Sequence, residues 1–80
     1  MRVRILYFAR LREALGLGEE TLELPEGAEV ETLLRNLKSR HPPLRGFGEL
    51  LVAVNAEYAS LDRGLREGDV VALFPPVSGG

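Results

Sequence analysis

The residues best suited to do chemistry in this chain are its last two, Gly79 and Gly80, which follow Ser78 and carry a terminal carboxylate. A terminal carboxyl group has a pKa near ~3.5, so at neutral pH it is an anion and a poor electrophile. To react, it must be converted by an ATP-dependent partner into a mixed anhydride with AMP, which a nucleophile can then attack. A sulfur nucleophile leaves a thiocarboxylate, soft enough to carry sulfur onward; an amine leaves an amide. Glycine has no Cβ, so Gly79 and Gly80 can pass through a channel too narrow for any other residue. At an average glycine usage of about 7%, two terminal glycines arise by chance in roughly one chain in 200. The tail alone leaves two readings open, a reactive arm and a frayed polar terminus.

The rest of the chain offers no enzyme constellation. His41 is its single histidine, and Ser39 and Ser60 are its serines outside the tail. Ser39 and His41 are two residues apart on a helical stretch, where side chains diverge, so a triad is not expected. His41 is expected instead as a charge partner at a helix end. The twelve carboxylates are expected on polar faces and turns, solvated. Histidine–histidine or histidine–carboxylate metal spacing is absent. Cysteine is absent too, which excludes disulfides, thiolate metal sites, iron–sulfur clusters and thiol nucleophiles. It also leaves no internal thiol to attack an activated terminus. Gly16-Leu17-Gly18 lacks the third glycine and the Lys-Ser/Thr of a phosphate loop and is expected as a turn.

Eighty residues, 45% of them hydrophobic, suit one soluble domain with a single core. No apolar run approaches the ~20 residues of a membrane span, and Met1-Arg2-Val3-Arg4 leads straight into a strand pattern without a signal-peptide core. The cytoplasm is the expected location. Ten basic and twelve acidic residues give a net charge of −2, which argues against nucleic acid as the main partner.

The elements that must position the tail follow from periodicity. Residues 2–8 alternate, with Val3, Ile5 and Tyr7 on one face and Arg2, Arg4, Leu6 and Phe8 on the other. Leu6 and Phe8 therefore need cover. Ala9 to Leu15 reads as a short helix with Phe8, Leu11 and Leu15 along one side, capped by Gly16. Glu19 to Leu24 reads as a strand antiparallel to the first. Val30, Leu33, Leu34 and Leu37 mark the clearest helix, ended by Pro42-Pro43 and lacking the usual N-cap residue. Leu44 to Glu49 is expected as a loop pinned by Phe47, and Leu50 to Val54 as a central strand. Asn55-Ala56 is a turn into a short strand from Glu57 to Ser60. Val70 to Phe74 is the last strand, beyond a compact loop at Leu61–Leu65. Pro75 and Pro76 have no N–H and cannot extend its ladder. Six residues follow Phe74; extended, at ~3.3 Å each, they would reach roughly 20 Å. The first and last strands are both apolar enough to be central and are expected to pair in parallel, with the long helix in the crossover. The expected fold is α+β, a β-grasp, ubiquitin-like roll: a mixed sheet of about five strands with one main helix across one face. Residues 1–74 form the body and 75–80 an extended tail.

Four stretches then fall into a pattern. Phe8-Ala9-Arg10-Leu11-Arg12-Glu13 resembles the Phe-Ala-x-x-Arg-Glu signature of the molybdopterin synthase small subunit. Val54-Asn55 and Gly68-Asp69 also match, as does the ending Phe74-Pro75-Pro76-Val77-Ser78-Gly79-Gly80. One departure is Val70, where that family often carries an acidic residue. The resemblance implies a sulfur carrier of molybdenum cofactor biosynthesis. Gly80 is then adenylated by an E1-like enzyme that uses ATP, and converted to a thiocarboxylate. The tail then enters the active site of the large subunit, with Gly79 permitting threading, and the sulfur goes to the dithiolene of molybdopterin. Phe8, Arg12, Tyr58, Phe74, Pro75 and Pro76 would form the docking surface. The same resemblance implies a hetero-oligomer, in which catalysis belongs to the partner subunit and no cofactor is bound by this chain.

Related carriers for thiamine or tRNA thiolation would share the fold and the glycines but are expected to lack the Phe-Ala-x-x-Arg-Glu helix and the double proline. A ubiquitin-type modifier also ends in Gly-Gly, though here Lys38 is the single lysine that could accept a chain link. A β-grasp RNA-binding module would need a basic, aromatic surface that the sequence does not supply.

Overall fold

A computed structural model describes residues 1–76. The chain runs β1 (Arg2–Tyr7), α1 (Ala9–Leu15), β2 (Glu19–Glu23), α2 (Val30–Arg40), a 3₁₀ helix (Pro42–Phe47), β3 (Leu51–Val54), β4 (Glu57–Tyr58) and β5 (Val70–Phe74). The strands form one sheet in the order β2-β1-β5-β3-β4. β1 and β5 pair in parallel at its centre, and the other neighbours are antiparallel. This is the β-grasp roll expected from the pattern, with both central strands where their apolar runs put them. No helix among the described residues is long and apolar enough to cross a membrane.

Alternation decides which side of the sheet is covered. Val3, Ile5 and Tyr7 of β1, Val52 and Val54 of β3, and Val71 and Leu73 of β5 are buried in one cluster with Val30, Leu33, Leu34 and Leu37 of α2. The missing N-cap of α2 is replaced from a distance. Val30 N–H donates to Arg63 O and Glu31 N–H to Leu61 O, both at 2.9 Å. The compact loop after β4 thus satisfies donors that a helix leaves unpaired at its start.

Three sequence expectations need correction. Phe8 does not share the side of Leu11 and Leu15: its backbone is extended (φ −117°, ψ 157°), so it continues the outer face of β1 while Leu11 is buried. The strand period wins there because the helix starts only at Ala9. The segment after α2 is a 3₁₀ helix rather than a loop, and its anchor is the fully buried Leu44, with Phe47 only half-buried beside the core. The return strand after the Asn55-Ala56 turn ends at Tyr58, two residues short of the expected Ser60. Gly16 caps α1 as expected, at φ 68° with its N–H on Arg12 O.

Candidate partner interface

The face opposite α2 is built by strand register. Leu6 pairs with Ala72, Ala72 with Ala53, and Ala53 with Tyr58, so one apolar row crosses four strands. The next row joins Phe74 to Leu51. Phe8 extends β1 beside Phe74, and their rings stack with centroids 4.8 Å apart and planes 12° apart. Methyl groups in the middle and rings at the rim leave a groove of about 560 Å³. Leu6, Phe8, Ala53, Tyr58, Ala72 and Phe74 line it, with Asn55, Ala56 and Val70 at one end. Tyr58 is 79% exposed and Phe8 41%. A contiguous apolar face of this kind, uncovered by the described residues, is what a protein partner requires.

The end of the groove is held by a turn under strain. Asn55 and Ala56 both have left-handed backbones, at φ 49° and 70°. A two-residue hairpin needs that conformation because its twist then matches the strands. Asn55 is fixed in it: Nδ2 donates to Asp69 Oδ1 (2.9 Å), Oδ1 accepts from Val70 N–H (3.0 Å), and its own N–H donates to Val70 O (2.8 Å). The Val54-Asn55 and Gly68-Asp69 pairs, far apart in sequence, are thus one hydrogen-bonded unit that locks the turn to the start of β5.

Of the site residues expected from the sequence, Phe8, Tyr58 and Phe74 meet on this groove. Arg12, exposed on α1, borders a smaller recess that shares Leu6 and Phe8 with it. Pro75 and Pro76 leave β5 half-exposed and do not line the groove. Gly79 and Gly80 lie outside the described residues.

A polar cluster escaped the sequence reading. The Tyr7 hydroxyl donates to Glu20 Oε2 at 2.5 Å, and His41 Nε2 lies 2.6 Å from the same oxygen. Arg40 stands 3.9 Å from the other oxygen, and the Tyr7 and His41 rings meet edge to face. Burial opposes ionisation of Glu20, but the hydrogen bonds from Tyr7 and His41, with the charges of His41 and Arg40, outweigh it and hold the carboxyl below its ordinary range. Burial, and then the same carboxylate, push the Tyr7 phenol far up. His41 thus pairs with a carboxylate on β2, and Glu20 is not one of the solvated carboxylates expected. The available signal was parity: Glu20 shares the inward phase of Leu22 and Leu24. The cluster ties β1, β2 and the end of α2 together on the core side, away from the groove.

Residues 5–80 match the model of the ThiS family. The molybdopterin synthase sulfur carrier subunit of Chlamydomonas reinhardtii is 42% identical, with all of both chains covered. The human molybdopterin synthase sulfur carrier subunit is 35% identical over 99% of this chain and 94% of its own. Among solved structures, small archaeal modifier protein 1 of Haloferax volcanii is 32% identical and superposes with a TM-score of 0.84, covering 95% of this chain and 98% of that one. A family match over nearly every residue, joined to full-length relatives above 30% identity, has one meaning: this chain belongs to the ThiS family.

Proposed function

We propose that this chain is the sulfur carrier subunit of a molybdopterin synthase and that Gly80 bears the sulfur. One observation carries the reading. The apolar groove and the exit of the chain share β5, so a partner seated on the groove receives the residues after Phe74 directly. The full-length relatives named as sulfur carrier subunits support it.

In this reading, a Gly80 carboxylate oxygen attacks the α-phosphorus of ATP on an E1-like enzyme and expels pyrophosphate. Hydrosulfide then adds to the acyl carbon, AMP leaves with the bridging oxygen, and the thiol proton goes to solvent. The resulting thiocarboxylate passes into the large subunit, which supplies the catalytic groups; its sulfur bonds to the acceptor, water attacks the acyl carbon and breaks the acyl C–S bond, and the terminus returns as a carboxylate. Gly79 lets the tail thread. Phe8, Tyr58 and Phe74 dock by burying the groove, Arg12 lies at its edge, and Pro75 and Pro76 stiffen the exit. A heterotetramer of two carriers and two large subunits is the assembly this reading favours.

Intact mass after co-expression with the activating enzyme tests it. Replacement of oxygen by sulfur adds about 16 Da. Appending one residue after Gly80 should abolish that gain while the fold is retained, and loading of the extended chain at the normal rate would refute the assignment. A second reading, protein modification, is supported by the likeness to a small archaeal modifier protein. It predicts isopeptide conjugates on lysines of other proteins in place of the thiocarboxylate mass.

A further inference from the structure

We propose that Gly18 is a positioning residue for Arg12: it seats the guanidinium flat at the edge of the groove, where its N–H fork takes an acidic side chain of the docking partner. This rests on the outer face being the partner interface. The backbone does not itself demand glycine at this position, because the left-handed glycines of the described residues are Gly16, Gly27, Gly48 and Gly68. What favours it is the position of the Arg12 side chain. A Cβ on Gly18 would stand 3.2 Å from both Cζ and Nε of Arg12 and 3.5 Å from Nη2. Cζ is as near as Nε, so the missing methyl lies over the face of the guanidinium plane rather than beyond its N–H edge. The plane therefore rests on the glycine, and its donors run along the surface.

That seat is rigid and adjoins the docking face. Gly18 O accepts the Tyr7 N–H at 2.9 Å, which fixes this backbone to β1. Leu6 and Phe8 line the recess holding Arg12 and also line the groove. Among the described residues no carboxylate comes within 4.0 Å of Arg12. Glu19, in the same recess, is held by Arg4 at 2.6 Å. A guanidinium laid flat over Gly18, with coplanar donors that no side chain among the described residues takes up, matches a carboxylate, which accepts two parallel hydrogen bonds; the ammonium of lysine is a point charge without that fork.

The experiment uses the full chain and its purified large subunit, with dissociation constants and thermal midpoints measured for each variant. Gly18→Ala fits the backbone but displaces the guanidinium by a few tenths of an ångström. It should weaken binding about fivefold with an unchanged Tm. Arg12→Ala should weaken it about tenfold and flatten its salt dependence, and Arg12→Lys should resemble Arg12→Ala. The double variant should bind no worse than Arg12→Ala, since Gly18 acts through Arg12. Additive losses, normal binding by Gly18→Ala, or a lowered Tm in that variant would each overturn the proposal. Phe74→Ala serves as control. If it weakens binding while Gly18→Ala does not, positioning fails and the docking face stands; if it leaves binding unchanged, the docking face itself is wrong.

Discussion

Truncating Phe74 to alanine separates a docking residue from a core residue, because the two roles predict different sizes of effect. Phe74 is half-buried on the outer face, and its closest ring neighbour is Phe8 at 4.8 Å. Losing a stacked pair costs about 0.5–1.5 kcal/mol. Losing half the burial of a phenyl group costs roughly 1 kcal/mol more. The free chain should therefore lose about 1.5–2.5 kcal/mol, a drop in Tm of about 6–20 °C for a domain of this size. In the complex the exposed half of the ring is buried as well, and an aromatic hot spot in an interface is worth about 2–4 kcal/mol, or roughly 30- to 1,000-fold in dissociation constant. Urea denaturation of the free chain and calorimetric titration of the large subunit measure the two quantities separately. A stability loss of about 3–5 kcal/mol, the range for a core phenylalanine, with little change in affinity among molecules still folded, would refute the placement of this ring on a docking face.

Further outcomes follow from other parts of the fold. Ala56→Gly relieves a left-handed alanine at φ 70°; set against the greater unfolded-state freedom of glycine, the net gain should be about 0.5–1 kcal/mol, a rise in Tm of about 2–8 °C by calorimetry. Leu44→Ala empties a fully buried site and should cost about 2–5 kcal/mol, more than Phe47→Ala, by urea denaturation. Glu20 has its pKa lowered on folding, so its stabilisation is fully present above the ordinary carboxylate range and is lost as pH falls through the lowered value. Denaturation midpoints measured from neutral pH downward should show that loss in the wild type and a smaller one in Glu20→Gln.

The sheet was legible in the sequence because its strands obey a period of two with few exceptions. Val3, Ile5 and Tyr7 against Leu6 and Phe8, and Val71 and Leu73 against Ala72 and Phe74, define both faces before any pairing is known. The groove followed from them, since one long helix covers one face. What stayed hidden was created by tertiary contact. The cap of α2 comes from carbonyls some thirty residues away, and the cluster of Tyr7, Glu20 and His41 joins three elements. Phe8 satisfied two periods at once, and sequence alone gave no means of choosing between them. Gly18 looked like an ordinary turn glycine because its neighbour, the Arg12 side chain, is six residues away along the chain and in contact only after folding.

The two sides of the sheet answer to separate demands. Nearly every group that holds the fold together, including the Tyr7, Glu20 and His41 ties, lies on the helix side, whereas Leu6, Tyr58, Ala72 and Phe74 look the other way. Substitutions on the outward side therefore trade against recognition more than against folding. A lineage built on this scaffold is free to retarget that side to a new client while the interior stays as it is.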